Sequence, residues 1–274
     1  MTTDDAAHSA RLAAQARIAV QAPLDRQLAP LGRRAIRALA PRAGERILDI
    51  GCGTGETVLD LAAAVQPGGA VVGVDISAPV VEVARRRVAN TAGTAIIVGD
   101  MQTHAFERGA FDAAFSRFGV MFFGDPTAAF GNIRRALRPG GRLAFVCWRS
   151  LDENELDFLP LRAAAPYLPP DALAAPAAEA FSFAERDTIE RVLSGAGFDA
   201  IEITAHDEPV GSGGLAPMLQ VCLRVGALGR FLRENPEHAE AAGPAVRAAL
   251  AAKDGSQGPM LNAATWIVTA RSGG

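Results

Sequence analysis

Three carboxylates and a glycine run stand close together in the first half of this 274-residue chain. Asp49 precedes Gly51-x-Gly53-x-Gly55 within Arg46-Ile-Leu-Asp-Ile-Gly-Cys-Gly-Thr-Gly55, Asp75 lies 20 residues beyond Gly55, and Asp100 sits in Val98-Gly-Asp-Met101. Glycines between a strand and a helix allow a tight turn, and they let a ligand lie against backbone N–H groups at the helix N-terminus. A carboxylate at the position of Asp75 can accept both hydroxyls of a ribose. One at Asp100 can accept from an adenine amino group. Three acids at three consecutive strand ends form one cleft suited to a nucleoside.

The spacing bears on which nucleoside. A dinucleotide fingerprint is GxGxxG, with its last glycine one position further along. Here the pattern is GxGxG with Asp49 two residues ahead of it. That charge repels a pyrophosphate and attracts an amine. An NAD-dependent oxidoreductase is therefore the disfavoured alternative.

The elements that must hold these residues follow from periodicity. Strands are expected at Ile47–Ile50, Ala70–Asp75, Ala95–Val98, Phe111–Ser116 and Leu143–Trp148, with helices between them. Ser77 can cap a helix whose first turn holds Pro79, and Asp125 one with Pro126 at its first position. Strand–helix alternation means right-handed βαβ units and a doubly wound parallel sheet. Leu24–Leu39 reads as an amphipathic helix broken or kinked at Pro30, and residues 1–22 as a helix or a disordered arm. Prolines interrupt residues 151–180. Pattern resumes with a helix over Glu185–Ala196, a strand over Ala200–Thr204, helices over Leu215–Leu228 and about Glu237–Ala252, and a final strand over Ala263–Ala270. The expected organisation is a helical arm or lid over 1–40 and a domain over 41–274. Insertions at about 151–180 and 211–258 form a helical cap.

Composition narrows the class. Hydrophobic residues make up 49% of the chain, enough for a sizeable core. A net charge of −3 gives no basic excess of the kind a phosphate-bound protein carries, so nucleic acid is demoted as a partner. Cys52, Cys147 and Cys222 form no CxxC pair and the four histidines are scattered, so no metal site is expected and a reducing cytoplasmic setting fits. The N-terminus has no signal-peptide core and no apolar run reaches membrane-spanning length. A homodimer stays open as an assembly.

The motifs LDIGCGTG, VVGVDIS, VGDMQ, FDAAFSRFGVMFF and LRPGGRLAF, spread over about residues 43–149, resemble the ordered motifs of class I S-adenosylmethionine-dependent methyltransferases. They are most similar to the branch of ubiquinone/menaquinone-biosynthesis enzymes and their small-molecule relatives. The resemblance implies a Rossmann-like seven-stranded sheet of order 3-2-1-4-5-7-6 with strand seven antiparallel. It implies that Asp49 and Gly51, Cys52, Gly53, Thr54 and Gly55 hold the methionine part of S-adenosyl-L-methionine. Asp75, with Ile76 and Ser77 beside it, holds the ribose, and Gly99, Asp100 and Met101 the adenine. Ser116 and Arg117 sit near the sulfonium. Relatives in this branch often carry Trp or Tyr in the N-terminal helix, whereas residues 1–40 contain no Phe, Trp or Tyr.

The reaction so implied is in-line methyl transfer to an O-, N- or C-acceptor on a small, partly apolar molecule. A protein that binds the cofactor without methylating is the other alternative. Phe118, Met121, Phe122 and Phe123 form either an apolar substrate wall or packing beneath the cap, and Trp148 shares that ambiguity. No catalytic residue stands out. His104 is a candidate general base, though a lone histidine more often makes local hydrogen bonds, and His206 is a lesser one. Cys52 needs only to be small. Asp112 reads as structural, and Arg85–Arg87 and Arg134–Arg135 as solvated helix faces.

Overall fold

The computed structural model describes residues 3–170, 172 and 178–273. Residues 171 and 173–177 of the first expected insertion, Pro176 among them, lie outside the described residues. Seven strands build one sheet: β1 (Arg46–Ile50), β2 (Ala70–Asp75), β3 (Thr94–Val98), β4 (Phe111–Arg117), β5 (Leu137–Trp148), β6 (Phe198–Val210) and β7 (Leu261–Ser272). Their order is β3-β2-β1-β4-β5-β7-β6, with β7 antiparallel as expected. Parallel pairing sets Asp49 of β1 beside Gly73 of β2 and Phe115 of β4. Ile47, Leu48 and Ile50 are buried, the continuous apolar run of a strand covered on both faces.

The helices are α1 (Thr3–Ala19), α2 (Gln21–Leu39), α3 (Glu56–Ala64), α4 (Ala78–Val88), α5 (Pro126–Ala136), α6 (Glu155–Ala164), α7 (Arg186–Gly195), α8 (Leu215–Cys222), α9 (Gly226–Glu234) and α10 (Ala239–Ala251). Several expectations need correcting. α2 runs through Pro30 without a break, because its buried face (Leu24, Leu28, Leu31, Ala35, Leu39) outweighs one missing N–H. The helix expected over Leu215–Leu228 is two helices bent by 63°, broken before Gly226, whose φ is +74°. α6 forms inside the proline-rich stretch and carries Pro160 within it. Ser77 does occupy the N-cap of α4, but its hydroxyl makes no capping bond, whereas the Asp125 carboxylate accepts from Ala128 N at 2.9 Å.

The chain divides into two compact units. One comprises residues 31–147, 183–206 and 265–273, with most of the sheet. Its core centres on Phe130, whose ring meets Phe145, Phe183 and Phe198 at centroid distances of 5.7–6.3 Å. Arg142 on β5 donates to Glu45 at 2.9 and 2.6 Å and to the Leu39 carbonyl, which ties the end of α2 to the sheet. The other unit takes residues up to Pro30, 148–182 and 207–264, and gathers α6, α8, α9 and α10. In it the fully buried Asn154 exchanges hydrogen bonds with Ala264 at 2.9 and 2.8 Å, anchoring the start of α6 on β7. Among the described residues no single helix is long and apolar enough to cross a membrane.

Candidate active site

The expected cofactor residues of the first unit lie at the carboxyl ends of β1, β2, β3 and β4. Gly51, Gly53 and Gly55 all have positive φ, at +66°, +55° and +87°. They do different things. A Cβ on Gly51 would come within 2.9 Å of Gly119 Cα, so this glycine is a close approach between two loops. A Cβ on Gly53 would meet nothing within 4 Å, although the residue is buried. The space facing Gly53 is the kind of opening in which a ligand can touch backbone.

Asp49 is fully buried. Its Oδ2 accepts from Thr57 Oγ1 at 2.5 Å, while Oδ1 has no hydrogen-bond partner among the described residues. Burial is the main cause that raises its pKa to about 7, against the opposing effects of Thr57 and the Arg117 charge. Cys52 is buried against β2, where Gly73 leaves it room, in keeping with a need only for a small side chain. Thr54 is buried too.

Asp75 already holds the loop in place. Its Oδ2 accepts from Gly53 N at 3.0 Å and Oδ1 from Ser77 N at 2.9 Å. An ionised carboxylate has about four lone-pair sites, so each oxygen can take a further hydroxyl. Ile76 beside it is 71% exposed, an isolated large apolar side chain at the strand end. Asp100 accepts from the backbone N and side-chain amide of Gln102 at 2.9–3.2 Å, and Gln102 in turn accepts from Asp125 N. Met101 is buried, and its carbonyl accepts from Asn132 Nδ2 at 2.8 Å. Gly99 abuts the His104 ring, which also packs on Phe106 at 4.5 Å.

Ser116 is fully buried, donating to the Ile50 carbonyl at 2.8 Å and accepting from Gly119 N at 3.2 Å. It clasps the ends of β1 and β4. Arg117 forms an ion pair with Glu56 at the start of α3, and its Cδ lies 2.9 Å from where a Cβ on Gly32 of α2 would be. The sequence reading missed Glu56 and Gly32; an acid directly after the glycine loop was the signal available for Glu56.

Phe118 is buried at φ +57°, a rare left-handed setting for a bulky residue and one that concentrates at functional sites. The aromatic cluster after β4 divides. Phe118 and Met121 are buried, Phe122 is half exposed, and Phe123 packs edge-on against Phe130 at 5.8 Å as part of the core. Trp148 is buried in the other unit. The His206 carbonyl accepts from Thr265 Oγ1 at 2.9 Å. Asp112 accepts from Arg46 N and Arg138 at 2.8 and 2.7 Å, a structural role as read.

Comparison with known proteins adds the family. Residues 48–145 match the methyltransferase-domain family. The chain is 36% identical over 151 residues to nocamycin O-methyltransferase of Saccharothrix syringae, covering 53% of this chain and 54% of that one. It is 39% identical over 111 residues to demethylmenaquinone methyltransferase of Clavibacter sepedonicus, covering 40% and 44%. The matched stretches thus span about half the length of these curated relatives. The YcgJ protein of Bacillus subtilis superposes with a TM-score of 0.58 at 19% identity, over 88% of this chain and 97% of that one, a likeness of fold. Glycine loop, ordered strand-end acids and sheet order agree with the match of residues 48–145 to the methyltransferase-domain family.

Proposed function

We propose that the protein binds S-adenosyl-L-methionine at the carboxyl ends of β1 to β4 and transfers its methyl group to a small, partly apolar molecule. The observation that carries this reading is Asp49 Oδ1, a buried acceptor atom without a donor among the described residues, beneath a loop whose Gly53 faces open space. A buried carboxylate missing a partner suits a cationic amine and repels a diphosphate.

In this reading Asp49 and residues 51–55 hold the amino-acid end. Asp75 takes the ribose hydroxyls with Ile76 and Ser77 alongside, and Gly99, Asp100 and Met101 border the base. The sulfonium supplies a good leaving group for in-line displacement. The chain's own task is then alignment, since reacting atoms held about 3 Å apart in a dry pocket need little further help. Glu56 takes up the Arg117 charge, which would otherwise oppose a sulfonium nearby. Phe118 and Met121 supply the apolar side of the acceptor pocket, with Phe122 at its margin. A general base such as His104 is needed only for a protonated acceptor, for instance a phenol of pKa about 10. Residues 1–40 serve as a lid, and the insertions at 151–180 and 211–258 as acceptor-binding elements. The name of the nocamycin relative supports an oxygenated small molecule as acceptor. Three free, buried cysteines support a reducing, cytoplasmic setting, and the net charge of −3 argues against a nucleic-acid substrate.

Isothermal titration with S-adenosylhomocysteine tests the cofactor half. Heat consistent with a micromolar site is expected, and silence at high micromolar concentration would refute it. A screen of quinones, phenols and amines with a labelled methyl donor tests the acceptor half.

A further inference from the structure

We propose that α5 positions the loop over residues 99–104 through two ties, Asn132 and Gln102, and so sets which purine the cofactor site accepts. The inference rests on the proposed binding of S-adenosyl-L-methionine and adds a control exerted on the base from a neighbouring helix.

Asn132 stands on the buried face of α5 with Ala129, Phe130, Ile133 and Ala136. A carboxamide among apolar neighbours costs stability unless its hydrogen bonds are met. Here they are met mainly from the loop. Nδ2 donates to the Met101 carbonyl and to the His104 carbonyl, both at 2.8 Å, while Oδ1 accepts from the Arg135 guanidinium. Two carbonyls facing one atom require two donor hydrogens, which an amide NH2 supplies and a carboxylate or an apolar side chain does not. Between the clamped carbonyls, the Asp100 carbonyl accepts from Thr103 N and His104 N at 3.1 and 2.7 Å, closing the loop into a turn.

Gln102 is the second tie. Its Oε1 accepts from the backbone N of Asp125, the cap residue of α5, at 2.6 Å. Its Nε2 donates to Asp100 Oδ1 and Oδ2 at 3.1 and 3.2 Å, and its backbone N donates to Oδ1 at 2.9 Å. A carboxylate has about four lone-pair sites, so these bonds leave one on Oδ2. A purine 6-amino group can donate to that site. A 6-oxo group would meet it acceptor to acceptor, with like partial charges opposed. Discrimination between the two purines therefore depends on where Oδ2 is held. That position is referred to α5, which is itself fixed in the core by Phe130 against Phe145, Phe183 and Phe198.

The test titrates S-adenosylhomocysteine and S-inosylhomocysteine, which differ at the purine 6-position, into the full chain and into Asn132→Leu and Gln102→Leu. Leucine keeps a branched side chain and donates nothing. Wild type should prefer the adenosyl ligand by about tenfold or more, and each variant should reduce that preference below about threefold. Thermal melting sets a temperature at which each variant is folded. A variant that binds both ligands more weakly by the same factor, its preference intact, has a structural role only, and that result overturns the proposal. If Asn132→Leu does not fold, Gln102→Leu, at a half-buried loop position, carries the test by itself. A wild type that binds both ligands equally refutes the positioning of the base and leaves cofactor binding standing. A wild type that binds neither refutes the cofactor reading, and this inference falls with it.

Discussion

Replacing Asp75 by alanine separates the loop's own support from its contribution to a nucleoside. In the free protein the carboxylate accepts two backbone N–H groups, from Gly53 and Ser77, at 3.0 and 2.9 Å. Hydrogen bonds to a charged acceptor contribute about 1.5–3 kcal/mol each, but the half-exposed setting of Asp75 lets water replace part of that. A stability loss of about 1–2 kcal/mol is expected from these two bonds. In the complex the same oxygens also accept the ribose hydroxyls, and a mispositioned Gly53 weakens the loop. Affinity for S-adenosylhomocysteine should fall by a further ~1.5–3 kcal/mol, roughly 10- to 150-fold in dissociation constant. Urea unfolding measures the first quantity and isothermal titration the second. Asp75→Asn is the control, since its amide oxygen can keep one N–H bond but cannot accept two hydroxyls as a carboxylate does. A variant that loses stability yet keeps an unchanged dissociation constant would refute the ribose assignment and leave Asp75 a loop brace.

Other predictions use neighbouring groups. Gly51→Ala should lower the melting temperature, because its Cβ would meet Gly119 backbone at 2.9 Å; Gly53→Ala should melt only slightly lower but bind S-adenosylhomocysteine at least tenfold more weakly, read by titration. Asp49 has a folded pKa of about 7, above the ordinary aspartate value of 3.8, so the folded state holds the extra proton between those values. Stability should therefore decline as pH rises from about 4 to 7, and urea titrations of Asp49→Asn should lose that part of the slope. Affinity for a cationic amino-acid ligand should rise over the same approach to neutrality in the wild type. Glu45→Ala removes the partner of the nearly buried Arg142 and should cost about 3 kcal/mol in urea unfolding.

How much of this was legible in the sequence depends on how local the cause is. The loop and its acids were readable because strand, glycine spacing and strand-end carboxylate lie within a few residues of one another. The sheet order came from the resemblance of the motifs, since parallel pairing leaves no local mark of which strands adjoin. The Arg117–Glu56 pair spans 61 positions and Gly32 reaches Arg117 from another helix, so no spacing rule could join them. Pro30 and Pro160 misled in the same way: each looks like a helix breaker until the burial of the surrounding face is known. The break before Gly226 was hidden because apolar residues recur on both sides of it.

The carboxylates sort by what has been arranged around them. Glu45, Asp112 and Glu155 are each partly buried, and in each the cations and N–H groups that face it outweigh desolvation and hold its pKa below the ordinary value. Folding has completed these acids; removing a partner from any of them should destabilise the chain, and their stabilising effect fades as pH falls. Asp49 and Asp157 run the other way. Both have their pKa values raised by burial, to about 7 and about 6, and Asp49 Oδ1 and the Asp157 carboxylate lack donors among the described residues. A fold stabilised by nothing but its own contacts would replace such groups with neutral ones, because each costs stability throughout the pH range above its folded pKa. For Asp49, whose Oδ1 is buried without a donor among the described residues, the retention is accounted for if a cationic amino group arrives from outside. Adding S-adenosylhomocysteine, whose amino-acid end carries an ammonium, should then raise the melting temperature most at the pH where Asp49 is ionised, and an increase that Asp49→Asn leaves unchanged would break this link between the cost of the acid and its use.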